Sequence, residues 1–339
     1  MRRLEPMSVG IALFLRKGFT QSRVPFDRLR PHGFTSIVNA HRNEAQMTAT
    51  QTARARRRGN VVRKPYRILV ASSGEPSSLG AMRLASTLAR RRSASVHALA
   101  VATPFPHLTQ PIMSMAPPAL VDDDNRRQAL ERLRAQLVTV RGARGWAMRA
   151  TAGFAAQSIV NAAERWPASL IVVGLTGSST AVNIARHSRI PVLAVPHDAL
   201  ELPRNAIAAI DFTESSIEAA ILAATMLGPN GTLTLLYASS LIRDDSDPGS
   251  LPDLYTAGAR DKLLAIEDHV HRRTKRRVES VAITGQVVDE LIRCATSGRY
   301  DMIALGSHEP TMLERILVVS VRERVLRSVR CSVLIGPAM

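Results

Sequence analysis

Two stretches decide the fold when set side by side: Arg67-Ile-Leu-Val-Ala-Ser-Ser-Gly-Glu-Pro-Ser77 and Ala206-Ile-Ala-Ala-Ile-Asp-Phe-Thr-Glu-Ser215. Each leads from an uncharged aliphatic run through small polar residues that suit a helix start into a segment of helical period. Aliphatic runs without strict alternation fit strands buried on both faces, as in a parallel sheet whose crossovers are helices. Working outward, the first copy predicts strands over 67–72, 96–102, 146–151, 170–174 and 192–195, with helices over 77–91, 124–140, 155–165 and 180–187. The second predicts strands over 206–211, 232–238, 277–284, 302–306 and 332–335, with helices over 215–227, 254–273, 287–297 and 312–328. The same five-strand α/β pattern occurs twice, which is an internal duplication. The expected domains are 66–196 and 204–337, joined by the Pro196 to Pro203 junction.

The remaining chain, 1–65, shows no sustained period and reads as a basic, disordered extension. The 339 residues carry 45 Lys and Arg against 28 Asp and Glu, a net of +17. Residues 1–65 hold 14 of the basic and 3 of the acidic side chains, a net of +11, which leaves +6 for the duplicated region. Nucleic acid is therefore not an expected partner except through that arm, with its cluster Arg54, Arg56, Arg57, Arg58, Arg63 and Lys64. Base stacking needs aromatic platforms, and the duplicated region contains only Phe105, Phe154 and Phe212 among phenylalanines. The longest run free of Lys, Arg, Asp and Glu, Ser93 to Val121, is broken by five prolines, so no membrane insertion is expected. Two cysteines, Cys294 and Cys331, without metal-site spacing fit a reducing, cytoplasmic location and small side chains in the interior.

In an open parallel sheet, ligands bind beyond the carboxyl ends of the strands where strand order reverses. The first strand of the second copy ends in Asp211, a carboxylate that can accept hydrogen bonds from a ribose or base, or simply cap the next helix. The first copy has Ser73 there. After its fourth strand comes Gly174-Leu-Thr-Gly177-Ser178-Ser179-Thr180, whose glycines and hydroxyls at a helix start suit a phosphate. The second copy has Gly306-Ser-His-Glu309-Pro310, where Glu309 repels one. Sequence marks of serine hydrolases, zincins, P-loop NTPases and dinucleotide enzymes are absent, and His269 and His271 stand two apart on a helix, not on one face.

Together with the endings Ala185-Arg-His-Ser-Arg-Ile-Pro-Val-Leu193 and Ser320-Val-Arg-Glu-Arg-Val-Leu-Arg-Ser-Val-Arg-Cys-Ser-Val-Leu334, these landmarks resemble the universal stress protein family in its tandem form. The resemblance implies two flavodoxin-like, Rossmann-like domains with strand order 3-2-1-4-5 and helices on both faces. It also implies pairing of the two domains through their last strands, 192–195 and 332–335, and a homodimer is a further partner it allows. ATP-binding members carry an Asp after the first strand and Gly-x-x-Gly, nine residues, then Gly-Ser/Thr. Carried over, the second copy keeps Asp211, Gly306 and Ser320, with Ala238 at the end of the second strand, but has Glu309 and Val319 where glycines belong. The first offers Ser73, Val101, Gly174, Gly177 and Ser178, with the nine-residue spacer missing. The expectation is a stress-response regulator with degenerate adenine-nucleotide sites that bind ATP, and Mg²⁺ with it, weakly or not at all, and without dedicated catalysis. Two other readings stand beside it: a slow ATPase or adenine-nucleotide hydrolase on the related fold, and a non-nucleotide protein-interaction module. Whatever the activity, deleting residues 1–65 should abolish retention on a heparin column at low salt. Equal retention of the shortened chain would move polyanion binding onto the duplicated fold.

Overall fold

The computed structural model describes residues 65–103, 123–176, 179–239, 251–307 and 321–337. The extension up to residue 64, the connections at 104–122 and 240–250, and the first part of the helix expected from 312 lie outside the described residues. The first copy runs β1 (Arg67–Ala71), α1 (Leu79–Arg92), β2 (Ser95–Ala102), α2 (Asp123–Thr139), β3 (Ala147–Ala152), α3 (Ala155–Arg165), β4 (Leu170–Gly174), α4 (Ser179–His187) and β5 (Val192–Val195). The second runs β6 (Asn205–Ala209), α5 (Glu214–Met226), β7 (Thr232–Ser239), α6 (Leu251–Thr274), β8 (Arg277–Thr284), α7 (Val287–Thr296), β9 (Met302–Leu305), α8 (Val321–Ser328) and β10 (Ser332–Ile335).

All ten strands form one sheet in the order β3-β2-β1-β4-β5-β10-β9-β6-β7-β8. Each copy thus has the order 3-2-1-4-5, and neighbours within a copy are parallel. The copies join through their last strands, as the resemblance implies: β5 and β10 pair antiparallel, with Leu193 opposite Leu334 and Val192 opposite Ile335. Strand alternation splits the core into two layers. Ile68 and Val70 point to the face covered by α1, α2, α5 and α6, while Leu69 and Ala71 point to the face covered by α3, α4, α7 and α8. Each layer holds residues of both copies, so the core runs on across the junction between them.

The seam is dry. Leu193, Ala194, Val195, Val333 and Leu334 are fully buried. Burying a Leu side chain stabilises by about 1.5–3 kcal/mol. Side chains tie the copies on both faces as well: Arg186 Nη2 of α4 donates to Glu323 Oε2 of α8 at 2.6 Å, while Arg91 and Arg92 of α1 donate to the Leu227 carbonyl and to Thr225 Oγ1. Arg276 donates to the same Leu227 carbonyl at 3.2 Å and to Gly228 O at 3.1 Å, so the carboxyl end of α5 is held by arginines from both copies.

One boundary differs in a way that matters for the site. The strand expected to reach Asp211 ends at Ala209. Ile210 N–H still bonds to Leu236 O at 2.8 Å, but Phe212 takes φ +65° and turns the chain away, which leaves Asp211 in the loop.

Close approach of α1 to the end of β5 gives the fold a sharp test. A Cβ on Gly80 would sit 1.8 Å from the Pro196 carbonyl oxygen, whereas nothing lies within 4 Å of one on Gly145. Gly80→Ala should therefore lose about 1–3 kcal/mol or more in urea denaturation. Gly145→Ala, the control, should stay within about 0.5 kcal/mol of the parent. Equal midpoints for the two variants would contradict this packing of helix on sheet.

Candidate functional site

The turn that follows the first strand shares one left-handed position in both copies and carries different chemistry on it. Gly74 in the first copy has φ +79°, and its counterpart Phe212 has φ +65°. In the first copy a side chain is sterically impossible, because a Cβ on Gly74 would lie 2.5 Å from Arg132 Cβ of α2. In the second the bulky residue carries the unfavourable conformation, and its ring packs against Tyr237 of β7 with centroids 4.8 Å apart. Lys262 Nζ of α6 lies 5.8 Å from the same ring, within cation–π range.

In the first copy this turn is locked to α2 by a closed ring of buried polar groups. Gln136 Nε2 donates to Ser78 Oγ at 3.1 Å, the Ser72 and Ser78 hydroxyls are 2.7 Å apart, and Ser72 Oγ donates back to Gln136 Oε1. The second amide hydrogen of Gln136 goes to Glu75 O at 2.8 Å, and Gly74 N–H bonds to Ser72 Oγ at 3.0 Å. Fully satisfied, such a ring fixes one arrangement of the turn. Ser73 sits on it, exposed, and its hydroxyl accepts only from Glu75 N–H at 3.3 Å among the described residues.

In the second copy Ile210 replaces Ser72 in this pattern, and the polar work passes to Asp211 and Thr213. Asp211 Oδ1 accepts from Thr213 N–H at 3.0 Å and from Thr213 Oγ1 at 2.5 Å. Thr213 is the N-cap of α5, and its side chain accepts from Ser216 N–H at 3.3 Å. Partial burial raises the Asp211 pKa, but hydrogen bonds from Thr213 and Ser216 outweigh it and hold the carboxyl below its ordinary value. Asp211 is thus an ionised, exposed group already used in starting a helix.

The residues expected beside it fall into place around the carboxyl ends of the strands. Val101 of β2 pairs with Thr151, Ala238 of β7 pairs with Ile283, and both are half-buried. Gly174 ends β4 and Gly306 directly follows β9. A Cβ on Gly174 would lie 2.9 Å from Ser77 O, and one on Gly306 would lie 2.8 Å from Ser216 N. In both copies the start of the first helix presses against the end of the fourth strand, so the fold itself requires these glycines. Beyond Gly306, Ser307 N–H bonds to Ser215 Oγ at 2.7 Å and Ser307 Oγ donates to Pro337 O, a link that sequence reasoning missed. Gly177, Ser178 and Ser320, with Glu309 and Val319, lie outside the described residues.

No group of three or more His, Cys, Asp or Glu able to hold a metal occurs among the described residues, and no described helix is long and apolar enough to cross a membrane. Both cysteines are half-buried and free. Burial pushes the Cys331 thiol up to about 12 and raises that of Cys294, so neither is a thiolate at neutral pH. His187 Nδ1 lies 2.8 Å from Asn183 O within its own helix.

Comparison with known proteins agrees with this geometry. No curated protein matches the chain. Among solved structures, a universal stress protein from Archaeoglobus fulgidus is similar over 80% of this chain and 96% of its own, with TM-score 0.58 and 17% identity. A putative universal stress protein from Pseudomonas aeruginosa UCBPP-PA14 covers 80% of this chain and 93% of its own, with TM-score 0.54 and 15% identity. A functionally unknown protein from Pseudomonas aeruginosa PAO1 has the same coverage, with TM-score 0.53 and 16% identity. At these identities the likeness is one of fold. The model of the universal stress protein family matches residues 66–196 and again 203–337. The chain therefore belongs to the universal stress protein family and carries the family domain twice, its two copies joined edge to edge in a single sheet.

Proposed function

We propose that the protein is a stress-response regulator whose two adenine-nucleotide sites have degenerated, so that ATP is bound weakly or not at all and no dedicated catalysis takes place. The observation that carries this reading is the state of the first turn. The only carboxylate at that position in either copy, Asp211, already accepts two hydrogen bonds from Thr213, and its counterpart is Ser73. A ribose or base would have to share that carboxylate or displace a helix-capping contact, which costs about 1 kcal/mol. In the first copy the ring of Ser72, Ser78 and Gln136 spends its polar capacity on itself. Residual binding belongs to the second copy, with Asp211 and Ala238 toward the nucleoside, Gly306 and Ser320 toward the phosphates, and Mg²⁺ arriving with the nucleotide. Membership of the family supports regulation over turnover.

Calorimetric titration of the full chain with ATP and Mg²⁺, with phosphate release followed on the same sample, tests the reading. The expected result is a dissociation constant of about 0.1 mM or weaker, roughly −5.5 kcal/mol, lost in Asp211→Ala, and no phosphate release above the blank. Submicromolar binding overturns the degenerate site, and turnover makes the protein an ATPase.

The control variant has its own signature. The folded Asp211 carboxyl has a lowered pKa, so its contribution to stability is present above the unfolded carboxylate pKa and is lost as pH falls through the folded one. Asp211→Ala should unfold at lower urea than the parent at pH 7, and the gap should shrink below about pH 4. A gap that does not depend on pH would mean that the carboxylate charge has no part in capping.

A further inference from the structure

The face of the first copy that carries α3 holds a concavity away from the turn described above. It lies over the amino-terminal halves of β2 and β3, has a volume of about 410 Å³, and is lined by His97, Leu99, Arg149, Arg165 and Trp166 among others. The size falls within the range of small-molecule sites, roughly 300–1,000 Å³. Its floor follows from strand alternation: Leu69, His97 and Ala147 are neighbours in register across β1, β2 and β3, and Arg149 is two residues further along β3 on the same face. Its wall is the last turn of α3, with Arg165, and Trp166 just beyond it.

Three features make this more than an uncovered stretch of sheet. His97 stacks flat on Trp166, with centroids 3.8 Å apart and planes 13° from parallel, and Arg67 lies over the same indole at 5.8 Å. Burial, and then the Arg67 charge, lower the His97 pKa, so the imidazole is neutral at pH 7 and offers a π face. Neither Arg149 nor Arg165 has an ion-pair partner among the described residues; Arg165 spends only Nε, on Asn161 O at 3.2 Å. Finally, the strand register equates Arg67, His97 and Ala147 with Asn205, Thr234 and Glu279 of the second copy, and hence Arg149 with Val281. The bonds Ser169 N–H to Arg67 O and Asp301 N–H to Asn205 O equate Trp166 with Gly298 and Arg165 with Ser297. The second copy builds the same fold without any of these groups, so the fold does not require them.

We infer that the stacked His97–Trp166 pair with Arg149 and Arg165 forms a binding site for a small planar aromatic carboxylate, separate from the nucleotide position and independent of the function proposed above. The ring lies over Ala147 against the exposed face of His97, and the carboxylate takes the guanidinium hydrogens of Arg149 and Arg165, which are suited to it in geometry and charge. Calorimetric titration of the full chain with 1-naphthoate tests this, with cyclohexanecarboxylate as the non-aromatic probe. Saturable 1:1 binding of 1-naphthoate is expected, at least about tenfold tighter than cyclohexanecarboxylate and unaffected by ATP. The Arg149→Ala variant, altered at an exposed position, should weaken it about tenfold or more, the loss expected for one charge-assisted hydrogen bond. Trp166→Phe should keep part of the affinity, and Trp166→Ala should lose it. No saturable binding, equal affinity for the two probes, or an unchanged constant in Arg149→Ala overturns the proposal.

Discussion

The antiparallel ladder between β5 and β10 is the interaction on which the rest of the molecule depends. Each strand is four residues long, and left unpaired its backbone N–H and C=O groups, flanked by apolar side chains, would be open to pairing with another chain. Paired with each other, the two edges satisfy their backbone groups and bring two five-stranded sheets into one of ten, with a continuous apolar layer on either face. The duplication thus places in one chain a contact that separate domains would otherwise have to find by diffusion.

That seam also sets where chemistry can occur. Because β5 and β10 run in opposite directions, the carboxyl ends of the two sets of strands open toward opposite margins of the sheet, and the two turns at Ser73 and Asp211 cannot serve one ligand jointly. Each copy has been free to change alone. The first closed its turn with Gln136 and two serines, while the second filled the corresponding space with Phe212 against Tyr237. The same left-handed backbone position is glycine in one, where α2 leaves no room for a Cβ, and phenylalanine in the other, where the ring packs on Tyr237.

Most of the fold was legible in the sequence because its strands are short aliphatic runs whose ends are marked by charge or proline. Strands 170–174, 192–195, 277–284 and 332–335 have their expected limits. The strand ending at Asp211 did not, since Ile210 continues the aliphatic run and nothing local announces the positive φ at Phe212. Asp211, Ser73 and the glycines were visible as residue types at loop positions, but their hydrogen bonds were not. Gln136 looks like one more polar residue on a charged helix, and only the tertiary fold brings it to Ser72, 64 residues away. His97 and Trp166 likewise belong to unremarkable segments, so a search for aromatic platforms by phenylalanine count passed over them.

Duplication supplies a criterion that a single domain lacks. A residue kept at equivalent places by both copies is explained by what the fold requires of both: a Cβ on Gly174 or on Gly306 would crowd the backbone at the start of the first helix, so their presence says nothing about phosphate. A residue found in one copy only, where the other folds without it, cannot be explained in that way. Asp211 passes this filter but has a local task in capping α5, which lowers its weight as a ligand group. Arg149 passes it with no ion-pair partner among the described residues, beside a neutral imidazole stacked on an indole. Exposed, Arg149 needs no partner for the fold's sake, so its weight as a ligand group comes from the concavity and the stacked rings beside it, which the second copy lacks. By that reasoning the stronger ligand signal in this protein lies away from the position at which the family resemblance directs attention.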